Sequence, residues 1–78
     1  EAGDMEESLG AIVQRHRKKS GLSRERLAEI AGVGKTVIYD IEHGKDSVRF
    51  ATVRKVLDAL NIRVRFISPL EENPDEKG

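Results

Sequence analysis

Leu9, Ile12 and Val13, followed by His16, recur at helical spacing behind Ser8. A serine there accepts from the unpaired N–H groups of a first turn, so the pattern predicts a helix over about residues 8–20, stopped by Gly21. Ser23 caps a second, shorter helix with apolar positions Leu27, Ala28, Ile30 and Ala31, which Gly32 ends. Beyond Val33-Gly34 a third helix carries Val37, Ile38 and Ile41 and closes at His43-Gly44, where glycine supplies the left-handed terminal position. Phe50, Val53, Val56, Leu57 and Leu60 mark a fourth, with Asn61 as its left-handed stop. Then the period changes from helical to alternating. Asn61-Ile62-Arg63-Val64-Arg65-Phe66-Ile67 is β-branched, sets apolar against basic residues, and predicts a strand over 62–67 ended by Ser68-Pro69.

These elements fill one domain of a 78-residue chain, residues 8–68, between an acidic N-terminus (1–7) and an acidic tail (69–78), both expected to be disordered. A chain this short buries little core and ordinarily gains stability from disulfides, a metal or oligomerisation. With no Cys and only His16 and His43, oligomerisation is the expected remedy, and no metal or cofactor is expected. No Ser-His-acid set or sizeable pocket is expected either, which argues against an enzyme. No apolar run approaches the roughly 18 residues of a membrane span, and no secretory signal is visible, so the expected location is the cytoplasm.

The formal net charge is zero, but it is unevenly distributed. Residues 1–7 sum to −4 and residues 71–78 to −3, whereas the middle sets thirteen Lys or Arg against six acids and stands at +7. That middle can attract a polyanion. Part of it, Arg15, Arg17, Lys18 and Lys19, also suits a solvated helix end, where cations complement the dipole.

Ala31-Gly32-Val33-Gly34-Lys35-Thr36 looks at first like the end of a phosphate-binding loop. That loop needs a further glycine five positions before Gly34, and Glu29 stands there with a charge that repels phosphate. It also follows a buried strand, whereas the residues before Gly32 have helical spacing. The alternative is a joint between two short helices that cross steeply. Leu27, Ala31, Val33, Ile38 and Ile41 then point inward, Ala28 is the small residue at the close approach, and Gly32 makes the turn.

Over this stretch the sequence resembles the helix-turn-helix of Cro- and phage-repressor-type DNA-binding proteins, the Xre family. Ile41-Glu42-His43-Gly44-Lys45 is similar to that family's closing I-E-N-G-K, and the likeness runs from about Ile12 to Leu60. The resemblance implies a mainly α, four-helix, lambda-repressor-like domain. The second helix of its motif enters the major groove, and the first helix and nearby loops hold phosphates. By position, Gly34 is the N-cap, and Lys35, Thr36, Val37, Tyr39 and Asp40 form the reading face. Arg24, Lys45 and Arg49 fall at phosphate-contact positions. Lys35 can donate to guanine or to a phosphate, Thr36 can bond either or touch a thymine methyl, and Val37 can only touch the methyl. Asp40 can accept from cytosine, exclude wrong sites or pair with a nearby cation. Gly34 departs from the usual Ser or Thr cap. Arg17 and Glu42 stand where relatives pair an arginine with a glutamate, an architectural role.

The segment after the fourth helix departs from the phage repressors, which usually close with a fifth helix. A lone strand leaves backbone groups unpaired and exposes Val64 and Phe66, an arrangement relieved by the same strand of a second copy, with Ile62, Val64 and Phe66 as the expected dimerisation residues. Leu57-Asp58-Ala59-Leu60-Asn61 running into Ile62-Arg63-Val64-Arg65-Phe66 resembles the HipB-like antitoxins. That likeness implies a homodimeric antitoxin that represses its own operon through an inverted-repeat operator and binds a HipA-like kinase toxin. The alternative is a protein-interaction module of the same fold with little or no DNA binding, which Asp40 and the neutral total charge favour.

Overall fold

The computed structural model describes residues 7–71, and the acidic ends at 1–6 and 72–78 lie outside the described residues. In helix α1 (Leu9–Lys19) the Ser8 hydroxyl accepts from the Ala11 N–H at 3.1 Å, and the chain leaves through Gly21 at φ +73°. Helix α2 (Arg24–Ala31) starts the same way, with Ser23 accepting from the Arg26 N–H at 3.0 Å. It ends on left-handed Gly32, where the Ala28 carbonyl accepts from Gly32 at 2.9 Å and Val33 at 3.0 Å. Helix α3 (Lys35–Glu42) begins at Gly34 without a side-chain cap. Helix α4 (Phe50–Ala59) stops through Asn61, whose φ of +60° makes it the left-handed residue the sequence predicts. Pro69–Glu71 form one 3-10 turn, with Ser68 Oγ accepting from the Leu70 N–H at 3.1 Å.

Every helix contributes to one core. Val13 comes from α1, Leu27 and Ala28 from α2, Ile38 and Ile41 from α3, and Val53, Val56 and Leu57 from α4. Ala31 and Val33 are half-buried at its margin. Ala28 is 4% exposed, as a small residue at a helix crossing should be. Each fully buried Leu, Ile or Val stabilises the fold by about 1.5–3 kcal/mol relative to exposure. Three apolar positions of the predicted stripes face outward instead: Leu9 is 44%, Ile30 48% and Phe50 55% exposed. An eight-residue helix packs with Leu27, Ala28 and Ala31, which leaves no covered side for Ile30. Phe50 opens its helix and lies against Phe66, ring centroids 6.3 Å apart.

Beyond the core packing of Ile38 and Ile41, two close contacts fix the C-terminal end of α3. Gly10 is buried so close to the end of α3 that an added Cβ would lie 2.5 Å from the Ile41 carbonyl oxygen and 2.7 Å from that of Glu42. Only hydrogen fits there. Alongside, Arg17 donates through Nε to Glu42 Oε2 at 2.6 Å, through Nη2 to Oε1 at 3.2 Å, and through Nη1 to the Leu22 carbonyl at 2.9 Å. Arg24 Nε donates to the same Glu42 Oε1 at 2.9 Å. One carboxylate thereby joins α1, α2 and α3. Among the described residues no buried side-chain polar atom lacks a partner.

The segment predicted as a strand contains no strand among the described residues. Ile62 donates to the Leu57 carbonyl at 2.9 Å, and residues 63–67 then make no backbone hydrogen bond among the described residues. The cause is topological: a ladder needs a neighbour, and the described residues offer none. Ile62 is half-buried against the core, while Val64, Phe66, Ile67 and Leu70 are exposed.

Burial pushes the Glu42 carboxyl up, but hydrogen bonds from Arg17 and Arg24 and the charges of both outweigh it and hold Glu42 below the usual carboxylate range. A group depressed in this way stabilises the fold above its unfolded value, about 4.3 for glutamate, and loses that contribution as pH falls through the folded value. Chemical denaturation should therefore show stability falling below about pH 4. Glu42→Gln should cost about 3–5 kcal/mol at neutral pH, because the buried Arg17 is left without its counter-charge. It should also flatten that acid limb; an unchanged limb in the variant would remove Glu42 as its source.

Candidate nucleic-acid interface

The starts of α2 and α3 line one groove of about 520 Å³, bounded by Arg17, Ser23, Arg24, Glu25, Lys35, Thr36 and Tyr39. Each helix start carries unpaired N–H groups and partial positive charge. Arg17 and Arg24 share the single charge of Glu42 and leave one positive charge over. The combination suits an anion.

The turn at Gly32 exposes the N-terminal half of α3. Lys35 and Thr36 are exposed, Tyr39 is 49% exposed, and Ile38 and Ile41 hold the opposite side of the helix in the core. Gly34 is exposed at negative φ with open space around its Cα. Val37 is half-buried and packs against the core, so less of it faces outward than the reading-face expectation requires. Asp40 is half-buried, and its carboxylate lies 3.5 Å from Lys45 Nζ, the pairing with a nearby cation that the sequence left open.

Arg24 is held on two sides. Besides the bond to Glu42, its guanidinium carbon lies 5.4 Å from the centroid of the Tyr39 ring, within cation–π range. Only its Nε is used in hydrogen bonds among the described residues, so the terminal N–H groups remain for a ligand. Tyr39 also stacks on His43 at 3.8 Å, and His43 Nδ1 lies 2.8 Å from the Tyr39 carbonyl oxygen. A donating Nδ1–H fits that contact. Arg24, Tyr39 and His43 thus form a braced row beside the groove.

Of the positions the sequence singles out, Arg24, Lys35, Thr36 and Tyr39 come together around the groove, with Gly34 adjoining. Lys45 follows α3, and exposed Arg49 stands at the N-cap of α4, neither lining the groove. Ile62, Val64 and Phe66 lie with Phe50 and Leu57 around a separate hollow of about 300 Å³. Sequence reasoning missed Glu25, whose carboxylate receives Lys35 Nζ at 3.0 Å. An acid in the first turn of a helix reads as a complement to the dipole, and its reach across the joint becomes visible only once the two helices are placed.

Ala31-Gly32-Val33-Gly34-Lys35-Thr36 is the end of α2, the joint and the start of α3, with helix where a phosphate loop would need strand. Among the described residues no helix is long and apolar enough to cross a membrane.

Comparison with known proteins agrees with this geometry. Residues 13–67 match the helix-turn-helix family. The chain is 36% identical over 63 residues to the uncharacterized HTH-type transcriptional regulator y4mF of Sinorhizobium fredii, covering 81% of this chain and 83% of that one. It is 32% identical over 75 residues to the control protein C.SmaI of Serratia marcescens, covering 96% of this chain and 89% of the relative. The left-handed glycine joint, the buried Ala28 before it and the exposed start of α3 fit that likeness, and the chain belongs to the helix-turn-helix family of transcriptional regulators.

Proposed function

We propose that the chain is a sequence-specific repressor that binds an inverted-repeat operator as a homodimer, acting in the cytoplasm without cofactor or catalysis. The observation that carries this reading is the exposed start of α3, with Lys35, Thr36 and Tyr39 projecting beside a groove lined by two helix N-termini and Arg24. An α-helix fits the major groove of duplex DNA, where Lys35 and Thr36 meet base edges. Arg24, fixed by Glu42 and Tyr39, turns its free N–H groups to a phosphate, and Lys45 and Arg49 hold others. Tyr39 and Asp40 extend the reading face, and Gly34 lets the backbone approach the duplex closely.

Dimerisation is supported by the unpaired backbone of residues 63–67 and by exposed Val64 and Phe66. Pairing the segment with its copy across a two-fold axis satisfies those groups and sets two copies of α3 at half-sites about 34–36 Å apart. The likeness of residues 57–66 to HipB-like antitoxins supports a narrower role: repression of an operon that also encodes a HipA-like kinase toxin, which the dimer binds.

Affinity for an operator duplex, followed by fluorescence anisotropy, should fall about a thousand-fold or more between 50 and 200 mM salt, the consequence of releasing counterions from several phosphates. Lys35→Ala should relax discrimination among bases, costing about 1–3 kcal/mol on the preferred sequence only. Arg24→Ala should weaken all sequences alike and also lower the unfolding midpoint, because Glu42 keeps only Arg17. A salt-independent affinity, or a wild-type chain that shifts no DNA at low salt, removes the reading.

The exposure of Phe66 makes it a clean probe of the dimer. Phe66→Glu should cost the monomer no more than about 0.5–1.5 kcal/mol, the scale of its ring contact with Phe50. Sedimentation equilibrium should show the variant as a monomer, and operator affinity should fall with the lost second half-site. A variant that remains dimeric excludes pairing through this segment.

A further inference from the structure

From the pairing of Lys35 with Glu25, we infer that Glu25 is a specificity-determining residue, one that biases the Lys35 ammonium toward neutral acceptors on base edges and against phosphate. The inference rests on the DNA reading above. Glu25 lies in the first turn of α2 and Lys35 is the first residue of α3, and the Gly32 joint brings them within 3.0 Å across the mouth of the groove. Both side chains are more than 60% exposed, so a ligand can reach the pair without disturbing the core.

The chemistry turns on donors and charge. An ammonium has three N–H donors, and Glu25 takes one, leaving two. A guanine N7 or O6 is neutral and can accept from those two while the carboxylate stays where it is. A phosphate oxygen at the same point is an anion placed next to the Glu25 carboxylate, so it must either bear the repulsion or displace the carboxylate. Phosphates occur at every step of any duplex, whereas the right base edge occurs only in the right sequence. The carboxylate therefore subtracts from the affinity common to all DNA and leaves the sequence-dependent part nearly intact. Among the phosphate-contact candidates, Arg24 and Lys45 also have acidic partners, Glu42 and Asp40, and Arg49 has none among the described residues, so the effect assigned to Glu25 comes from its place beside Lys35 at the groove rather than from ion pairing as such.

The alternative role for Glu25 is to complement the dipole of α2 and to add a general negative field. Both act without Lys35. Glu29 supplies the control: it is also on α2, 68% exposed, and paired with Arg26 rather than with a residue of α3.

The test uses two duplexes of equal length and composition, one enriched from a random-sequence pool by the wild-type chain and the other its shuffled counterpart. Glu25→Gln should tighten binding to the shuffled duplex by about three- to five-fold, the scale of one exposed ion pair. Affinity for the enriched duplex should change little, so the ratio of the two falls by the same factor. In a Lys35→Met background Glu25→Gln should have no effect, and Glu29→Gln should leave the ratio at its wild-type value. An equal change from Glu29→Gln, or a Glu25→Gln effect that survives loss of Lys35, overturns the inference in favour of a general field. A wild-type chain that discriminates no better than Glu25→Gln overturns it alone, whereas one that enriches no sequence takes the DNA reading with it.

Discussion

One carboxylate organises this domain. Glu42 is the last residue of α3, its side chain fully buried, and it receives an arginine from α1 and another from α2. A buried glutamate without partners would be protonated or would unfold the site; with two guanidinium groups on it, the charge is compensated and every donor has a geometry to satisfy. The bonds have direction, so they fix the rotation of α3 about its axis, which apolar packing through Ile38 and Ile41 alone leaves loose. Rotation decides which residues of α3 face outward.

The same carboxylate connects architecture to recognition. In the proposed reading Arg24 belongs to both, since its Nε is bound to Glu42, its guanidinium lies over Tyr39, and it lines the groove. A long flexible side chain loses much of its rotamer freedom when it meets a ligand; one held at two points has lost it already. The row from Arg24 through Tyr39 to His43 extends this rigidity along the exposed side of α3. The lysines at either end of the helix are held more lightly, Lys35 by Glu25 and Lys45 by Asp40.

Much of this was legible in the sequence because it is local. Ser8 and Ser23 as caps, Gly32 and Asn61 as left-handed stops, and the inward positions of Leu27, Ile38 and Ile41 follow from neighbours within one turn. The Arg17–Glu42 pair was legible only through resemblance, since the residues are 25 apart. What escaped depends on how helices meet. Gly10 sits three residues before Val13 on the buried stripe of α1, and a glycine inside a helical pattern is a signal, but the carbonyls it makes room for belong to α3. Glu25, the double role of Arg24 and the half-burial of Val37 likewise follow from the crossing of α2 and α3. The alternating pattern of 62–67 has a strand's composition, yet a ladder is a property of two segments, and among the described residues there is no second one. How that segment is covered is a question of assembly rather than of local propensity.

The close approach at Gly10 has a further consequence for how such a domain diversifies. It clamps α3 at its C-terminal end, where Glu42 is anchored too, while the N-terminal end carries no side-chain cap and projects over open space at Gly34. The helix is therefore fixed most tightly at its C-terminal end, while Lys35 and Thr36 at its start are exposed. In the proposed reading, exchanging those two residues alters what the helix tip touches without disturbing Ile38, Ile41 or Glu42, so target preference can change while the scaffold keeps its stability.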